Sequence, residues 1–318
     1  MGKKATLKSA LSSQQFRLKR KQEAKHAAQV ADQKSKKPGQ PANLKGKGKG
    51  KATARPGPPP VIPFKATDRI LLIGEGNLSF ARALVYDPPA ALQYLPLSNL
   101  TATAYDTEED CLLKYPEARE ILQSLREKNV EVLFGVDATK LERHATLKNR
   151  SFDKIVWNFP HAGKGIADQD RNILSNQLLL LGFLRSAAHL LKTGPVPRVQ
   201  SRKKKASSND DENDDAEESA DEENGADVAQ CRGSILITLR NVPPYTLWDL
   251  PKLAKSPPPP RNSSEPTNPR YIQLRSFVFL RSLWKGYEHR MTKGERVHGK
   301  GTTGIGGEDR TWEFCLGD

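Results

Sequence analysis

Four short polar stations recur along the middle of the chain: Gly74-Glu75-Gly76-Asn77, Asp106, Asp137 and Asn158-Phe159-Pro160-His161. Two glycines flanking one residue let a backbone come close to a ligand, and the N–H groups that open a following helix can face it. A carboxylate such as Asp106 can accept both hydroxyls of a ribose, and Asp137 can accept from an adenine amino group. Glu75, inside the glycine turn, would repel a pyrophosphate and attract an amino group. The third glycine of the dinucleotide fingerprint is missing, with Ser79 in its place, and no arginine suited to a 2′-phosphate lies nearby. The set therefore favours S-adenosylmethionine over NAD(P), with Asn77, Ser79 and Phe80 completing the cofactor loop. Asn158 to His161 reads as the end that meets the acceptor: a Pro-stiffened turn in which Phe159 stacks a flipped base and the polar residues reach its Watson–Crick edge. His161 is the candidate proton acceptor. Each acid taken singly is equally a helix cap or a turn residue, so it is their succession that carries weight.

The elements that must position these groups alternate between strand and helix patterns. The apolar run Ile70 to Ile73 leads into the glycine turn, and a helix is predicted from Ser79 to Val85. Strand two, Leu100 to Tyr105, ends at Asp106; a helix over 116–128 follows, with Ala118, Ile121, Leu122 and Leu125 at helical spacing. Strand three, Val130 to Phe134, ends near Asp137, and strand four, Phe152 to Trp157, runs straight into Asn158. A long helix from Asp170 to Leu191 is ended by Gly194 and Pro195. Strand five is Gly233 to Leu239, and two late strands, Ile272 to Leu280 and Thr311 to Cys315, form an antiparallel pair. This order predicts an α/β fold: a Rossmann-like class I methyltransferase, with a seven-stranded, mostly parallel sheet and helices on both faces. The ligand then belongs at the carboxyl ends of the strands, where the four stations fall.

Charge divides the chain unevenly. Of the net charge of +14, all the excess lies in residues 1–65, which hold 17 Lys and Arg against Glu23 and Asp32. Residues 1–60 are read as a disordered basic tail, whose clusters at Lys19 to Lys21 and Lys34 to Lys37 fit nuclear or nucleolar targeting and phosphate contact. The Rossmann-like domain occupies 61–318, interrupted by a disordered charged insertion over 195–232 and a Pro-rich loop over 254–269. Cys111, Cys231 and Cys315 stand far apart with no C-x-x-C pair, which argues against a disulfide framework and a metal site. No apolar run approaches the length of a membrane span, and the first thirty residues lack the apolar core of a secretory signal. A monomer in the nucleus or nucleolus, with a polyanionic partner, is expected.

Six blocks in order carry a more specific likeness. They are Ile70-Leu-Leu-Ile-Gly-Glu-Gly-Asn-Leu-Ser-Phe80, Ala104-Tyr-Asp106, Phe152-Asp-Lys-Ile-Val-Trp-Asn-Phe-Pro-His161, Asn176-Gln177, Pro243-Pro244-Tyr245 with Trp248, and Gly286-Tyr-Glu-His-Arg290. Together they resemble the fungal 25S rRNA (uridine-N3)-methyltransferases over about residues 65–318, outside the insertion and the Pro-rich loop. The resemblance implies an S-adenosylmethionine-dependent, nucleolar enzyme of Rossmann-like fold that methylates N3 of a uridine in large-subunit rRNA during ribosome biogenesis. The family's first motif more often carries Asp and Phe where this chain has Asn77 and Leu78. A methyltransferase of another base or of tRNA, or a non-catalytic assembly factor, would use the same fold. The segment Gly286 to Arg290 is expected near the base entrance, or else is a hairpin loop with surface charges.

Overall fold

The computed structural model describes residues 60–197, 231–260, 263, 265–292, 294 and 307–318. The chain divides into two units, Met1–Gly57 and Pro58–Asp318, and all of the described residues belong to the second. The expected tail and charged insertion fall almost wholly outside the described residues, as do parts of the Pro-rich loop.

Along the chain come β1 (Ile70–Leu72), α1 (Ser79–Tyr86), β2 (Leu100–Thr103), α2 (Glu108–Lys114), α3 (Ala118–Glu127), β3 (Glu131–Leu133) and β4 (Lys154–Asn158). Then follow α4 (Gln169–Ala188), β5 (Ser234–Arg240), α5 (Leu250–Lys255), β6 (Tyr271–Val278) and β7 (Asp309–Leu316). The strands form one seven-stranded sheet in the order β3-β2-β1-β4-β5-β7-β6. Strands β1 to β5 pair in parallel, and β7 runs antiparallel to both β5 and β6. The order reverses between β1 and β4, so a crevice opens at their carboxyl ends.

The central strands are apolar on both faces because both faces are covered. Ile70, Leu72, Val156 and Leu236 point to one side and meet Phe80 and Leu84 of α1 and Ile121, Leu122 and Leu125 of α3. Leu71, Ile155, Trp157, Ile235 and Ile237 point to the other and meet Leu180, Phe183, Leu184 and Ala187 of α4. Each such side chain contributes about 1.5–3 kcal/mol by leaving water. The helical spacing read at Ala118 to Leu125 is the buried stripe of α3. Two short helices carry no signal in the sequence pattern. Helix α2 starts at Thr107, whose side chain accepts from the Asp110 N–H, with three acids in its first turn. Helix α5 has a proline in its first turn.

At the end of the sheet away from the crevice, Glu313 is buried at 1% exposure. Lys154 and Arg275 reach it at 2.7 and 2.6 Å, and the Ser234 hydroxyl donates to it at 2.7 Å. Burial alone would raise this carboxyl, but the two cations and the hydrogen bonds outweigh it and hold it below its ordinary value. The network ties β4, β5, β6 and β7 together.

Candidate functional site

Ten of the twelve predicted site residues line a single cavity of about 500 Å3: Gly74, Glu75, Gly76, Asn77, Ser79, Asp106, Asp137, Asn158, Phe159 and His161. Phe80 and Pro160 lie outside its lining. Pro160 is buried behind the turn. Phe80, 1% exposed, packs edge-on against Trp284 and Tyr287 at ring separations of 5.1 and 5.3 Å. It therefore supports the wall from beneath.

The two glycines differ in what demands them. Gly74 has φ +61°, and a Cβ there would stand 2.9 Å from Trp157 Nε1, so the fold itself requires glycine. A Cβ on Gly76 would meet Arg290 and Tyr115 at an ordinary 3.5 Å, so the fold tolerates one, and the missing side chain widens the cavity. Leu78, fully buried, takes φ 63° at the cap of α1, a left-handed conformation uncommon for such a residue.

Glu75 curls back so that its Oε2 accepts the Ala81 N–H at 3.1 Å. Among the described residues no cation forms an ion pair with it. Desolvation pushes its carboxyl up to about 7 against the backbone N–H bonds of Ala81 and Phe80. Asp106 pairs with Lys114 at 2.5 Å. Asp137 turns one oxygen to the Thr139 N–H and hydroxyl, at 2.9 and 2.7 Å, and the other toward Lys140 at 3.3 Å. Burial raises the Asp137 carboxyl, but those bonds outweigh it and leave it below its ordinary value. Both acids thus use part of their accepting capacity locally.

Asn158 closes β4, and its Oδ1 accepts from Thr238 at 2.8 Å; Thr238 in turn bonds Thr311 at 2.9 Å, both threonines being buried. This anchoring leaves the amide NH2 of Asn158 as its donor toward the cavity. Phe159 sits at φ 54° with its N–H held by the Thr238 carbonyl. Its ring is already engaged, by His289 at 4.5 Å, Phe279 at 6.0 Å and the Arg281 guanidinium at 5.0 Å. His161 lies at the exposed rim, and its Nδ1 accepts the Gly163 N–H at 2.8 Å. With that lone pair occupied, the neutral imidazole carries its proton on Nε2, which makes that nitrogen an N–H donor. Asn176 holds the same loop by accepting the Ala162 N–H at 2.8 Å, and Gln177 donates to the Trp248 carbonyl at 3.3 Å.

The segment between β6 and β7 forms the remaining wall, with Tyr287, Glu288, His289, Arg290 and Thr292 in the lining. Ser79 bonds Glu288 at 3.0 Å, the Tyr115 hydroxyl donates to the Met291 carbonyl at 2.9 Å, and Arg290 pairs with Glu117 at 2.7 Å. Asn77 donates to the same Glu117 at 2.9 Å. Burial, then the neighbouring Asp106, pushes the Tyr115 phenol up to about 12. Of the lining residues beyond the predicted set, Tyr105 is 70% exposed at the rim and flanks Asp106 in sequence, a cue available beforehand. Tyr115 and Lys164 carried no such cue.

A glycine turn after β1, acids after β2 and β3, and Asn158 at the end of β4, all around one cavity of this sheet order, define a Rossmann-like methyltransferase. The chain belongs to the BMT5-like family, described as rRNA (uridine-N3-)-methyltransferase, whose model matches residues 71–291. It is 29% identical over 74% of its length to the 25S rRNA (uridine(2634)-N(3))-methyltransferase of Saccharomyces cerevisiae, covering 69% of that protein. It is 40% identical over 40% of its length to the mouse ferredoxin-fold anticodon-binding domain-containing protein 1 homolog, covering 19% of that protein. The heavy metal-associated isoprenylated plant protein 41 of Arabidopsis thaliana is 33% identical over 44% of the chain, which covers 26% of it. The chain is an rRNA base methyltransferase of α/β fold and requires a methyl donor. Among the described residues, no helix is long and apolar enough to cross a membrane and no group of three or more His, Cys, Asp and Glu could hold a metal.

Proposed function

We propose that the cavity binds S-adenosylmethionine along Gly74, Glu75, Gly76, Asn77, Asp106 and Asp137 and receives a uridine of large-subunit rRNA against Asn158 and His161. The observation that carries the reading is the pairing of an unbridged Glu75 carboxylate with Gly76, whose absent Cβ the fold does not itself require. A cationic, close-fitting ligand satisfies both. When bound, S-adenosylmethionine supplies an electrophilic methyl group. Glu75 faces its positive charge, Asp106 accepts from ribose hydroxyls with the capacity Lys114 leaves, and Asp137 accepts from the adenine amino group.

At the acceptor end the residues present donors. The Asn158 amide and the His161 N–H point to hydrogen bonds with the two uracil carbonyls flanking N3, where negative charge gathers as N3 loses its proton. Phe159, with its ring occupied by His289 and Arg281, shapes the pocket floor, and the exposed Tyr105 is the ring available to a base or ribose at the rim. Ser79 and Tyr115 hold the Gly286–Thr292 segment over the site.

We place the enzyme in the nucleolus as a monomer, with the domain over 61–318 carrying catalysis. The basic residues 1–60 add salt-dependent RNA affinity, and the stretches over 195–232 and 254–269 lie outside the chemistry. Mass spectrometry of rRNA nucleosides from cells with and without the gene tests the assignment. Loss of one 3-methyluridine supports it, loss of a different methylated nucleoside redirects it to another base, and an unchanged profile leaves only an assembly role.

A further inference from the structure

The loop that follows the acceptor turn carries a cation used neither by the fold nor by the cofactor. Lys164 is exposed and stands in the lining of the cavity. It lies between Gly163 and Gly165, both at φ +64°, a left-handed backbone that glycine adopts without strain. The stretch just before it is fastened at three points. Asn176 Oδ1 accepts the Ala162 N–H at 2.8 Å, His161 Nδ1 accepts the Gly163 N–H at 2.8 Å, and a Cβ on Gly163 would stand 2.9 Å from the Thr292 methyl. Lys164 is thus the first side chain beyond a seated loop: its backbone is placed at the cavity, while the flexible stem leaves the ammonium free to adjust.

Among the described residues no carboxylate forms an ion pair with Lys164. Other charged groups of the lining are engaged: Asp106 with Lys114, Asp137 with Lys140, and Arg290 with Glu288 and Glu117. Asp168, the next acid along the chain, caps α4 by accepting the Arg171 N–H at 2.8 Å. An exposed ammonium at a cavity suits an anionic oxygen, which either the carboxylate of the cofactor or a phosphate of the RNA could supply.

Position separates the two. Arg290 stands at the cofactor end, its Cβ 3.5 Å from where a Cβ on Gly76 would lie. Lys164 stands at the acceptor end, on the loop after Asn158 and His161. The N3 edge of uracil is opposite its glycosidic bond, so a base that turns N3 inward to the methyl donor leaves its ribose and phosphates outward at the rim. We propose that Lys164 binds a phosphate flanking the target uridine and so holds the flipped nucleotide with its base in the cavity. This deepens the reading of the cavity as a uridine-N3 site and rests on it. The contact is local to the modified nucleotide, unlike the diffuse attraction of the basic residues 1–60, and it carries no base selectivity of its own.

The test compares the full chain with its Lys164→Ala and Lys164→Arg variants on an unmodified large-subunit rRNA transcript. Over about 50 to 200 mM salt, Lys164→Ala should reduce the slope of log affinity against log salt by about 0.7–0.9, the value of one phosphate contact. Its kcat/KM for RNA should fall about tenfold, chiefly through KM, while the S-adenosylmethionine Kd in calorimetry stays within about twofold of wild type. Lys164→Arg should keep the wild-type slope. An uncharged methylphosphonate at one of the two phosphates flanking the methylated uridine should cost the wild type about tenfold and leave Lys164→Ala unaffected. An unchanged salt slope, or equal methylphosphonate losses in wild type and Lys164→Ala at both positions, overturns the proposal. A weakened cofactor Kd in Lys164→Ala overturns it too, by giving Lys164 to the cofactor's carboxylate. A wild-type product other than 3-methyluridine removes the uridine-N3 reading itself, whereas 3-methyluridine formed alongside any of those contrary results removes only the role of Lys164.

Discussion

Replacing Glu75 by Gln removes a charge that burial disfavours while keeping the shape and the acceptor for the Ala81 N–H. The carboxyl is held near 7 rather than at 4.5, so ionising it in the folded protein is harder than in the unfolded chain. Stability from this group is fully present below pH 4.5 and is lost as pH rises through about 7. The whole displacement corresponds to roughly 3 kcal/mol, and cavity water reduces that to about 2 kcal/mol. Gln bears no such penalty. Without cofactor, Glu75→Gln should therefore match wild type near pH 5 and exceed it at pH 8 by ~2 kcal/mol, a Tm gain of about 4–8 °C for a domain of this size. Circular-dichroism melts across that range provide the measurement. A difference that does not vary with pH, or a variant less stable at pH 8, would refute the reasoning.

The same group couples cofactor binding to pH. A cationic ligand opposite Glu75 draws the proton off, so calorimetry on the wild type should show affinity for S-adenosylmethionine weakening as pH falls below 7, by about tenfold at pH 6. Glu75→Gln should bind at least tenfold more weakly at pH 8, with no such trend. The variant would thus be more stable empty and less stabilised by ligand, a pairing that a general packing defect cannot produce.

The two glycines should separate fold from binding. Gly74→Ala meets a positive φ and a 2.9 Å contact with Trp157, and should lose about 2 kcal/mol or more in urea denaturation. Gly76→Ala should stay within ~0.5 kcal/mol of wild type yet bind S-adenosylmethionine more than tenfold less tightly in calorimetry. Glu313→Ala leaves the half-buried Lys154 and Arg275 without their shared partner and should cost about 3 kcal/mol in the same assay. Because Glu313 is held below its ordinary value, its contribution is present above pH 4.5 and is lost on further acidification, steepening the wild-type acid transition relative to Glu313→Gln. Tyr115→Phe removes the bond to the Met291 carbonyl; hydrogen exchange around 287–292 should speed up, at a global cost of about 1 kcal/mol.

What could be read beforehand was whatever depends on local pattern. The apolar runs that became β1, β4 and β5 are continuous because both sheet faces are covered, and the polar residues that follow them are polar because the sheet opens to a crevice there. Strand ends moved by a residue or two, as at β1, where pairing stops at Leu72 although Ile73 is equally buried. Helices α2 and α5 went unread because seven and six residues give too few turns for a periodic signal. Phe80 was assigned to the cofactor loop because it follows Ser79, but the first turn of α1 rotates it into the core. The Phe159 ring looked available for stacking because nothing in a local pattern reveals that residues 281 and 289, more than a hundred positions later, return to cover it.

That return explains why the site is built from both halves of the chain. The glycine turn and the Asn158 turn are adjacent in any sheet of this order, yet two walls alone form an open groove. Closure comes from the 286–292 segment, and the groups that fasten it are the motif residues themselves: Ser79 bonds Glu288, and Asn77 shares Glu117 with Arg290. Residues read as cofactor ligands thus also seat the far wall. A change at Asn77 or Ser79 acts on cofactor and acceptor ends together, and separating those effects requires Glu117→Gln. That variant weakens the Arg290 bridge while leaving the glycine turn intact; it should lower RNA turnover and leave S-adenosylmethionine affinity within about twofold.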